Sequence, residues 1–491
     1  MNPLVAGGLV FFTSGAVLVL EILAGRLLAP YVGLSLETYT AVIATVLAGI
    51  AAGTSLGGRM ADRVHPRVML GPLVTLGGAL SLLAVPLVRL LGNLVAGGSR
   101  EWVVPLSLAG FFAPAAVLSA VTPTVVKLQL RDVAVTGQVV GRLSALATLG
   151  AIAGTMVAGF VLVEAAPTTT SIFLLGALLM LTGSALWLWV WGATSRRLIA
   201  TVWVTALVGS GLAGAADDRC DAETVYHCAQ VIEDRQRGGG RALVLDALLH
   251  SYVDVDDPTH LQLDYSRVFA DVVDAAGSPG PLHVLHVGGG GFTMPRYLEA
   301  VRRGTRSVVL EIDAGLVELA RDRLGLRTGP DLQVLVGDAR LALGRLPDAG
   351  QDVVLGDAFG GLAVPWHLTT IEFAMALKAT LRPGGIYILN LIDYPPMRFA
   401  RAETATLLEV FDHVAVIAPP ALLINQQGGN VVVAASDTPL PAQAITAHIA
   451  ARGGKEELLT GAAANGFAKD APVLTDDHAP VDQWLARARR S

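Results

Sequence analysis

Apolar runs long enough to cross a lipid bilayer fill the first 215 residues of the chain. A membrane-spanning helix needs roughly 20 mostly apolar residues, and about seven stretches meet this criterion. They lie near residues 3–25, 38–58, 68–91, 102–126, 138–163, 170–192 and 198–215. This pattern predicts a multi-spanning α-helical membrane domain in the first half of the chain.

The composition changes near Ala216. The chain as a whole is 53% apolar and 15% charged, but nearly all the long uncharged runs precede this residue. After it, apolar and charged segments alternate, as is typical of a soluble α/β domain. We therefore predict a transmembrane helical domain over residues 1–216, a linker with a small β-meander over 217–280, and a Rossmann-like nucleoside-binding catalytic domain over 281–491.

Glycines repeat at a spacing of four residues within two of the apolar runs. Gly49, Gly53 and Gly57 form one such series, and Gly150 and Gly154 form another. Small residues at this spacing let helix backbones approach closely in lipid. We expect both series to lie where helices pack against each other.

The short loops predict how the chain enters the membrane. Arginine and lysine are more frequent in the loops after the second, fourth and sixth runs than in the others, which places the N-terminus in the cytoplasm. An odd number of spans then places the C-terminal domain outside it. The two cysteines, Cys220 and Cys228, follow the last run, where a disulfide is permitted on an oxidising face. The sequence leaves their pairing open.

Two classes of partner are disfavoured by the sequence. The net charge is -6, and no basic cluster with interleaved aromatic residues is present, so we expect no nucleic acid partner. Cys220, Cys228 and His227 lack a fourth ligand at any usual spacing, so we expect no metal site.

The second half repeats a strand, a turn and a helix. The β-branched runs are "PLHVLHVG", "SVVLEID", "LQVLVGD", "QDVVLGDAF" and "GIYILNLID". This alternation predicts a doubly wound parallel sheet with helices on both faces, preceded by a short β-meander between residues 241 and 265. Ligands of such sheets bind at the carboxyl ends of the strands.

A glycine run, "VGGGGFTMPRYL", follows the first of these strands. The dinucleotide fingerprint requires a third glycine inside the following helix, and neither register of the run provides one. A bound pyrophosphate is therefore disfavoured. Gly288, Gly289 and Gly290 remain suited to a turn that brings an adenosine-type ligand close to the backbone.

Acidic residues end the next three strands. Glu311 is placed to accept hydrogen bonds from ribose hydroxyls, Asp338 to meet an adenine amino group, and Asp357 to face whatever lies beyond the ribose. Each of these acids has an alternative interpretation as a helix N-cap, because each precedes a helix or a turn.

These residues resemble those of the polyamine aminopropyltransferases, of which spermidine synthase is the type. The similarity covers about residues 240–435, and the whole chain resembles bacterial proteins that fuse a membrane domain to such a domain. The matching segments are "LVLDALLH", "VLHVGGGG", "VVLEIDAGLVELAR", "VGDARLAL", "DVVLGDAF" and "LRPGG".

The resemblance implies roles for the residues at the site. Glu311 would hold the ribose, Asp338 and Ala339 the adenine, and Asp357 would accept a proton. His250 and Tyr265 match family positions near the ligand and the amine. Decarboxylated S-adenosylmethionine, or S-adenosylmethionine itself, would be the co-substrate, with no permanently bound cofactor, and an amine such as putrescine would be the acceptor.

The chain departs from the family at two acidic positions. The family has carboxylates that bind the diamine where this chain has Gly291 and Gly360. If a diamine is the substrate, other carboxylates must replace them. The candidates are Asp254, Asp256, Asp257 and Asp264.

Three interpretations of the function remain. The first is an aminopropyltransferase, the second is a methyltransferase acting on a lipid or hydrophobic acceptor, and the third is a membrane transport or scaffold protein without catalysis. Both sulfonium donors are made in the cytoplasm, which conflicts with a C-terminal domain outside it, so the sequence leaves the side of the membrane open. A lipid bilayer is an expected partner, and a homo-oligomer is compatible with the sequence.

Overall fold

The structure is a computed structural model of the 491-residue chain. It describes residues 1–33, 36–95, 100–130, 132, 135–191, 196–215, 219–277, 279–361 and 363–488. The chain forms two compact units, residues 1–230 with 245–247, and residues 231–244 with 248–491. The domain boundary predicted near Ala216 lies outside the described residues, so the three-domain division stays a prediction.

Helices make up most of the first unit. They are α1 (Pro3–Val32), α2 (Leu36–Arg63), α3 (Pro66–Leu94), α4 (Val103–Ser107), α5 (Ala113–Ser119), α6 (Val121–Gln129), α7 (Thr136–Val157), α8 (Val163–Ala165), α9 (Thr168–Trp191) and α10 (Arg196–Ala215). One π-helical turn, Leu108–Phe112, joins α4 to α5, and a second, Ala158–Leu162, joins α7 to α8.

Six helical segments are long and apolar enough to cross a membrane. They are Pro3–Val32, Glu37–Arg63, Pro66–Leu94, Val103–Gln129, Thr136–Ala165 and Thr168–Val190. The first six predicted spans coincide with them. The seventh prediction, residues 198–215, falls on helix α10, which does not qualify as a candidate span over its described residues. Six of the seven predicted segments thus qualify as candidate spans among the described residues, and the seventh stays a prediction.

The spaced glycines lie at close helix contacts, as the sequence predicts. A Cβ atom added at Gly53 in α2 would lie 2.0 Å from the carbonyl oxygen of Ala116 in α5. A Cβ atom added at Gly150 in α7 would lie 2.1 Å from the carbonyl oxygen of Phe11 in α1. Glycine at these positions is what lets the backbones touch.

Helix α10 packs along α3 and returns the chain to the end of the bundle where α1 and α3 finish. A Cβ atom at Gly209 in α10 would lie 2.1 Å from the side chain of Leu83 in α3. Beyond α10, the Arg219 guanidinium donates to the Asn93 side chain at 3.0 Å and lies over the Tyr31 ring. Although α10 falls outside the six candidate spans, it therefore packs against α3 within the bundle.

A disulfide between Cys220 and Cys228 closes a loop at this end of the bundle. Within the loop, the backbone carbonyls of Thr224 and Val225 accept hydrogen bonds from the Arg26 guanidinium of α1. The Glu223 carboxylate accepts from the backbone N–H of Thr168, at the start of α9, at 2.9 Å. The loop is thus tied to two helices of the bundle.

Four strands follow the helices and form a sheet in sequential order, which is the predicted meander. They are β1 (Ala222–Glu223), β2 (Cys228–Glu233), β3 (Gly240–Leu245) and β4 (Leu248–Asp254). The meander begins and ends earlier than predicted. Residues 255–263, after β4, contain no strand, and helix α11 begins at Asp264.

An eight-stranded sheet forms the centre of the second unit, in the order β12-β10-β11-β9-β8-β5-β6-β7. Its strands are β5 (His283–Val287), β6 (Arg306–Glu311), β7 (Leu332–Val336), β8 (Gln351–Gly356), β9 (Leu381–Asp393), β10 (His413–Ala418), β11 (Gly429–Ser436) and β12 (Glu457–Thr460). Strands β5 to β9 are parallel, as predicted. Strands β10, β11 and β12 pair antiparallel at one edge, so the sheet is mixed rather than wholly parallel.

Helices cover both faces of this sheet. They are α11 (Asp264–Ala276), α12 (Thr293–Val301), α13 (Ala314–Arg323), α14 (Ala339–Leu343), α15 (Ile371–Thr380), α16 (Arg398–Leu408), α17 (Pro420–Leu423), α18 (Ala442–Ala451), α19 (Ala462–Ala468) and α20 (Val481–Ala488). Alternate strand residues enter two separate cores: Tyr387 and Leu389 face one, and Ile386 and Ile388 the other. The sheet is therefore rigid on both sides, and its strand ends are firmly placed.

Candidate active site

The glycine turn after β5 brings backbone N–H groups to the end of β6. Gly288 has a φ of +97°, and a Cβ atom there would lie 2.5 Å from the carbonyl oxygen of Asp357. The backbone N–H groups of Gly289 and Gly290 donate to the Glu311 carboxylate at 2.8 and 3.3 Å. Glycine is needed at position 288 because the conformation is left-handed and the neighbouring strand end is so close.

Glu311 lies at the end of β6 and is buried. Its second oxygen accepts from the backbone N–H of Asp313 at 2.9 Å. Burial raises the pKa of this carboxyl above its usual value, while the three backbone N–H groups oppose that rise. A carboxylate has about four acceptor positions, so at least one remains for a ligand hydroxyl.

Asp338, after β7, caps a helix and also faces a histidine. One of its oxygens accepts from the backbone N–H of Leu341 at 3.1 Å, which makes Asp338 the N-cap of α14. Its other oxygen lies 3.1 Å from Nε2 of His367. Ala339, the next residue, is buried. The capping alternative thus describes one oxygen of Asp338, and the other oxygen belongs to a polar pair at the strand ends.

Asp357, after β8, is held by two polar side chains. The Asn390 amide in β9 donates to its carboxylate at 2.9 Å, and the Tyr265 hydroxyl in α11 also hydrogen-bonds to it. Burial raises the pKa of Asp357 to about 6, and both hydrogen bonds oppose the rise. Asp357 caps no described helix. A carboxylate with a pKa in this range can take up a proton near neutral pH.

Tyr265 lies beside Asp357, and its hydroxyl also approaches His250. The Tyr265 hydroxyl is 3.4 Å from the backbone carbonyl oxygen of His250. The His250 ring meets the Phe359 ring edge-on, with the centroids 6.3 Å apart. Burial, and then the charge of Asp357, raise the pKa of Tyr265 well above its usual value, so its hydroxyl stays protonated as a donor.

Several residues at the site are absent from the predictions made from sequence. Asn430 in β11 donates to the Asn390 side chain at 2.9 Å, which extends the hydrogen-bond chain from Asp357 across two strands. Ser251 in β4 accepts from the backbone N–H of Gly291 at 3.0 Å. The sequence could have identified Asn390 as a candidate site residue, because it is a polar residue inside the apolar run "YILNLID". No sequence pattern distinguishes His367 or Ser251 as a site residue.

Three of the four acids suggested as replacements at the diamine site are engaged in ion pairs with arginines. Asp254 and Asp257 form ion pairs with the Arg237 guanidinium. Asp264 pairs with Arg267 at 3.3 Å, and its side chain is 78% exposed. Asp357, by contrast, hydrogen-bonds to Tyr265 and Asn390 at the end of β8.

The arrangement has the parts needed to bind a nucleoside and accept a proton. The glycine turn, Glu311 and Asp338 lie at the adjacent ends of β5, β6 and β7, and Asp357 lies at the end of β8. Such a fold defines a Rossmann-like domain of the methyltransferase type.

Comparisons with known proteins specify the family. A polyamine aminopropyltransferase of Vibrio vulnificus is 29% identical over 189 residues, which are 38% of this chain and 61% of that protein. Polyamine aminopropyltransferase 2 of Streptomyces coelicolor is 29% identical over 337 residues, 63% of this chain and 58% of that protein. The second match is longer than residues 217–491 supply alone, so it extends into the helical half.

One solved structure is matched over a larger share of its own length than these two relatives are. The probable spermidine synthase from Corynebacterium glutamicum is 31% identical, and the match covers 52% of this chain and 95% of that one, with a TM-score of 0.49. No protein-family model matches the chain. On the sequence identities, the chain belongs to the spermidine synthase-like family. It spans about three fifths of the length of the curated relatives that it matches.

Proposed function

We propose that the chain transfers an aminopropyl group from decarboxylated S-adenosylmethionine to a primary amine. The observation that carries this proposal is Asp357, a carboxylate with a pKa of about 6 held by Asn390 and Tyr265 beside the glycine turn. The names of the curated relatives support the same reaction.

The donor is bound by residues at the ends of β5, β6 and β7. Glu311 takes a ribose hydroxyl, the turn at Gly288, Gly289 and Gly290 lets the nucleoside approach the backbone, and Asp338 with Ala339 meets the adenine. The donor is a co-substrate, and no permanently bound cofactor is required. The hydrogen bonds from the turn to Glu311 support this division, because they fix the carboxylate before the ligand arrives.

The reaction needs one proton acceptor and close alignment. The Asp357 carboxylate takes a proton from the ammonium of the acceptor, and the freed amine attacks the propyl carbon next to the sulfonium. The carbon–sulfur bond breaks, its electron pair goes to sulfur, and neutral methylthioadenosine leaves. The protein contributes orientation and a base whose pKa lies near the working pH.

A second candidate is methyl transfer from S-adenosylmethionine to a hydrophobic acceptor. The aromatic side of the site supports it, because Phe359 and His250 pack together next to Asp357. The nucleoside part of both donors is the same, so the residues at β5, β6 and β7 do not separate the two reactions.

We also propose that the first unit is embedded in a bilayer, with the disulfide loop on the non-cytoplasmic face. Lys127 near the end of the fourth span pairs with Asp62 near the end of the second at 2.7 Å, so the ends of these two spans lie together at one end of the bundle. Arg219 contacts the ends of α1 and α3 at the other end. The lysine and arginine bias supports a cytoplasmic position for the first end.

Calorimetric titration of the detergent-purified chain tests the donor. Aminopropyl transfer predicts tighter binding of methylthioadenosine than of S-adenosylhomocysteine, and methyl transfer predicts the reverse. Glu311→Gln should weaken nucleoside binding at least tenfold, because a charged hydrogen bond contributes about 1.5–3 kcal/mol. Glu318→Gln, on the exposed side of α13, is the matched control. Equal affinity in the wild type and Glu311→Gln would contradict the assignment of the ribose site.

A further inference from the structure

Three segments of the sequence that we place near Asp357 contain no acidic residue. No aspartate or glutamate occurs between residues 358 and 371, which read "AFGGLAVPWHLTTI". None occurs in "ALLHSYV" at residues 247–253 or in "GGGGFTMPRYL" at residues 288–298. Asp357 is therefore the one acidic side chain among these three segments and Asp357 itself.

The remaining acids at the strand ends are already bound. Asp393, after β9, is buried and accepts from the backbone N–H groups of Tyr394 and Ala400 at 2.7 and 2.9 Å. Asp313 accepts from the backbone N–H of Gly315 at 3.0 Å as the N-cap of α13. Each of these carboxylates therefore holds the backbone at its own strand end.

The acceptor side is instead apolar and aromatic. Phe359 packs against the His250 ring, and Trp366 is 44% exposed next to His367. Phe359 and Gly360 follow the end of β8, and His367 contacts Asp338 after β7. Ala363 and Val364 in this segment are buried.

The side chains of Ser251 and Val253 leave little space for a side chain at position 291. A Cβ atom at Gly291 would lie 2.8 Å from the Cβ atom of Ser251, whose hydroxyl oxygen already accepts from the Gly291 N–H. Gly360 differs, because it is exposed and a Cβ atom there would meet nothing closer than Cγ of Pro365 at 3.8 Å. A side chain therefore fits at position 360.

We propose that the acceptor is a primary monoamine with an apolar tail, and not a diamine. This inference rests on the proposed aminopropyl transfer. Its ammonium group lies at Asp357 and gives up one proton to that carboxylate, and its tail lies along Phe359 and Trp366. A second ammonium against this wall would lose hydration without gaining a charged partner, which is unfavourable.

The test compares two acceptors that differ by one terminal ammonium, n-butylamine and putrescine. The full chain in detergent receives decarboxylated S-adenosylmethionine and either amine, and kcat/KM is measured for each. We expect n-butylamine to exceed putrescine at least tenfold, and n-hexylamine to exceed n-butylamine. A preference for putrescine in the wild type would overturn the inference and leave aminopropyl transfer intact. Absence of transfer to every amine would overturn both.

Gly360→Asp adds the missing carboxylate, and Gly360→Asn is its neutral control of equal size. We expect the aspartate variant to shift the ratio of kcat/KM toward putrescine by at least tenfold relative to the asparagine variant. Equal ratios in the two variants would mean that position 360 does not face the acceptor, and would overturn the inference.

Discussion

Asp357 combines two properties that oppose each other. Burial raises its pKa to about 6, which makes it a stronger base than an exposed aspartate, whereas Asn390 and Tyr265 stabilise its charged form. The balance leaves the carboxylate ionised at neutral pH and able to take up a proton. Asn430 orients Asn390, so the site depends on a chain of three polar side chains within an otherwise apolar sheet.

The pH dependence of the reaction follows from this balance. The proton acceptor must be deprotonated, so kcat/KM should rise tenfold per pH unit below about 6 and level off above it. Asn390→Leu removes a hydrogen bond that favours the carboxylate, so the rise should move to higher pH. Asn465→Leu, exposed on α19, should leave the profile unchanged. An identical profile for Asn390→Leu would contradict the role of Asn390 in positioning and charging Asp357.

The sequence predicted the acidic residues at the strand ends, but not the side chains that contact and hold this part of the site. Glu311, Asp338 and Asp357 follow strands that the apolar pattern identifies, so their common edge was predictable from the parallel sheet. The pairing of Asp338 with His367 was not, because it joins residues 29 apart in sequence through a loop of irregular backbone. Likewise, the Ser251 contact with Gly291 joins two separate sheets.

At the scale of elements, the strands β5 to β9 were predictable because each is a continuous apolar run after a turn. The antiparallel edge was only partly predictable. Strands β10 and β11 contain the β-branched runs "HVAVIA" and "NVVVAAS", but β12 has four residues, "ELLT", and no distinguishing pattern. Strand direction also depends on how the chain returns, which a local pattern does not encode.

Helix packing in the first unit can be tested at one glycine. Gly53→Val would force its side chain into the backbone of Ala116, and we expect a loss of about 1–3 kcal/mol or more. Gly58→Val in the same helix is the matched control, because its nearest neighbour, Cβ of Pro123, is 3.9 Å away. Thermal unfolding in detergent should separate the two variants. Equal melting temperatures would contradict the observed contact between α2 and α5.

The disulfide loop should stabilise the first unit, because it holds Thr224 and Val225 against Arg26. Replacing both cysteines by serine should cost roughly 2–3 kcal/mol, the value expected for so short a loop. A lower melting temperature in the double variant, insensitive to reductant, is the expected result. Wild-type protein whose melting temperature is unchanged after proven reduction would contradict this role.

At the scale of the whole molecule, the proposed topology can be tested by accessibility. The loop between Cys220 and Cys228 should react with a membrane-impermeant maleimide in intact spheroplasts, after treatment with an impermeant reductant. Every candidate span precedes residue 191, so the described C-terminal residues should lie on the same face. Externally added donor should then be consumed without permeabilisation. Labelling that requires permeabilised cells would reverse the orientation.

The most direct test of the proposed reaction is the identity of its products. The full chain is incubated with decarboxylated S-adenosylmethionine labelled in the propyl group and with a primary amine, and products are analysed by mass spectrometry. We expect methylthioadenosine and the propyl-labelled amine in equal amounts. Asp357→Asn should reduce the rate by about 10²–10⁴-fold with donor affinity retained. A methylated acceptor formed from S-adenosylmethionine, without any labelled amine from the decarboxylated donor, would contradict the account.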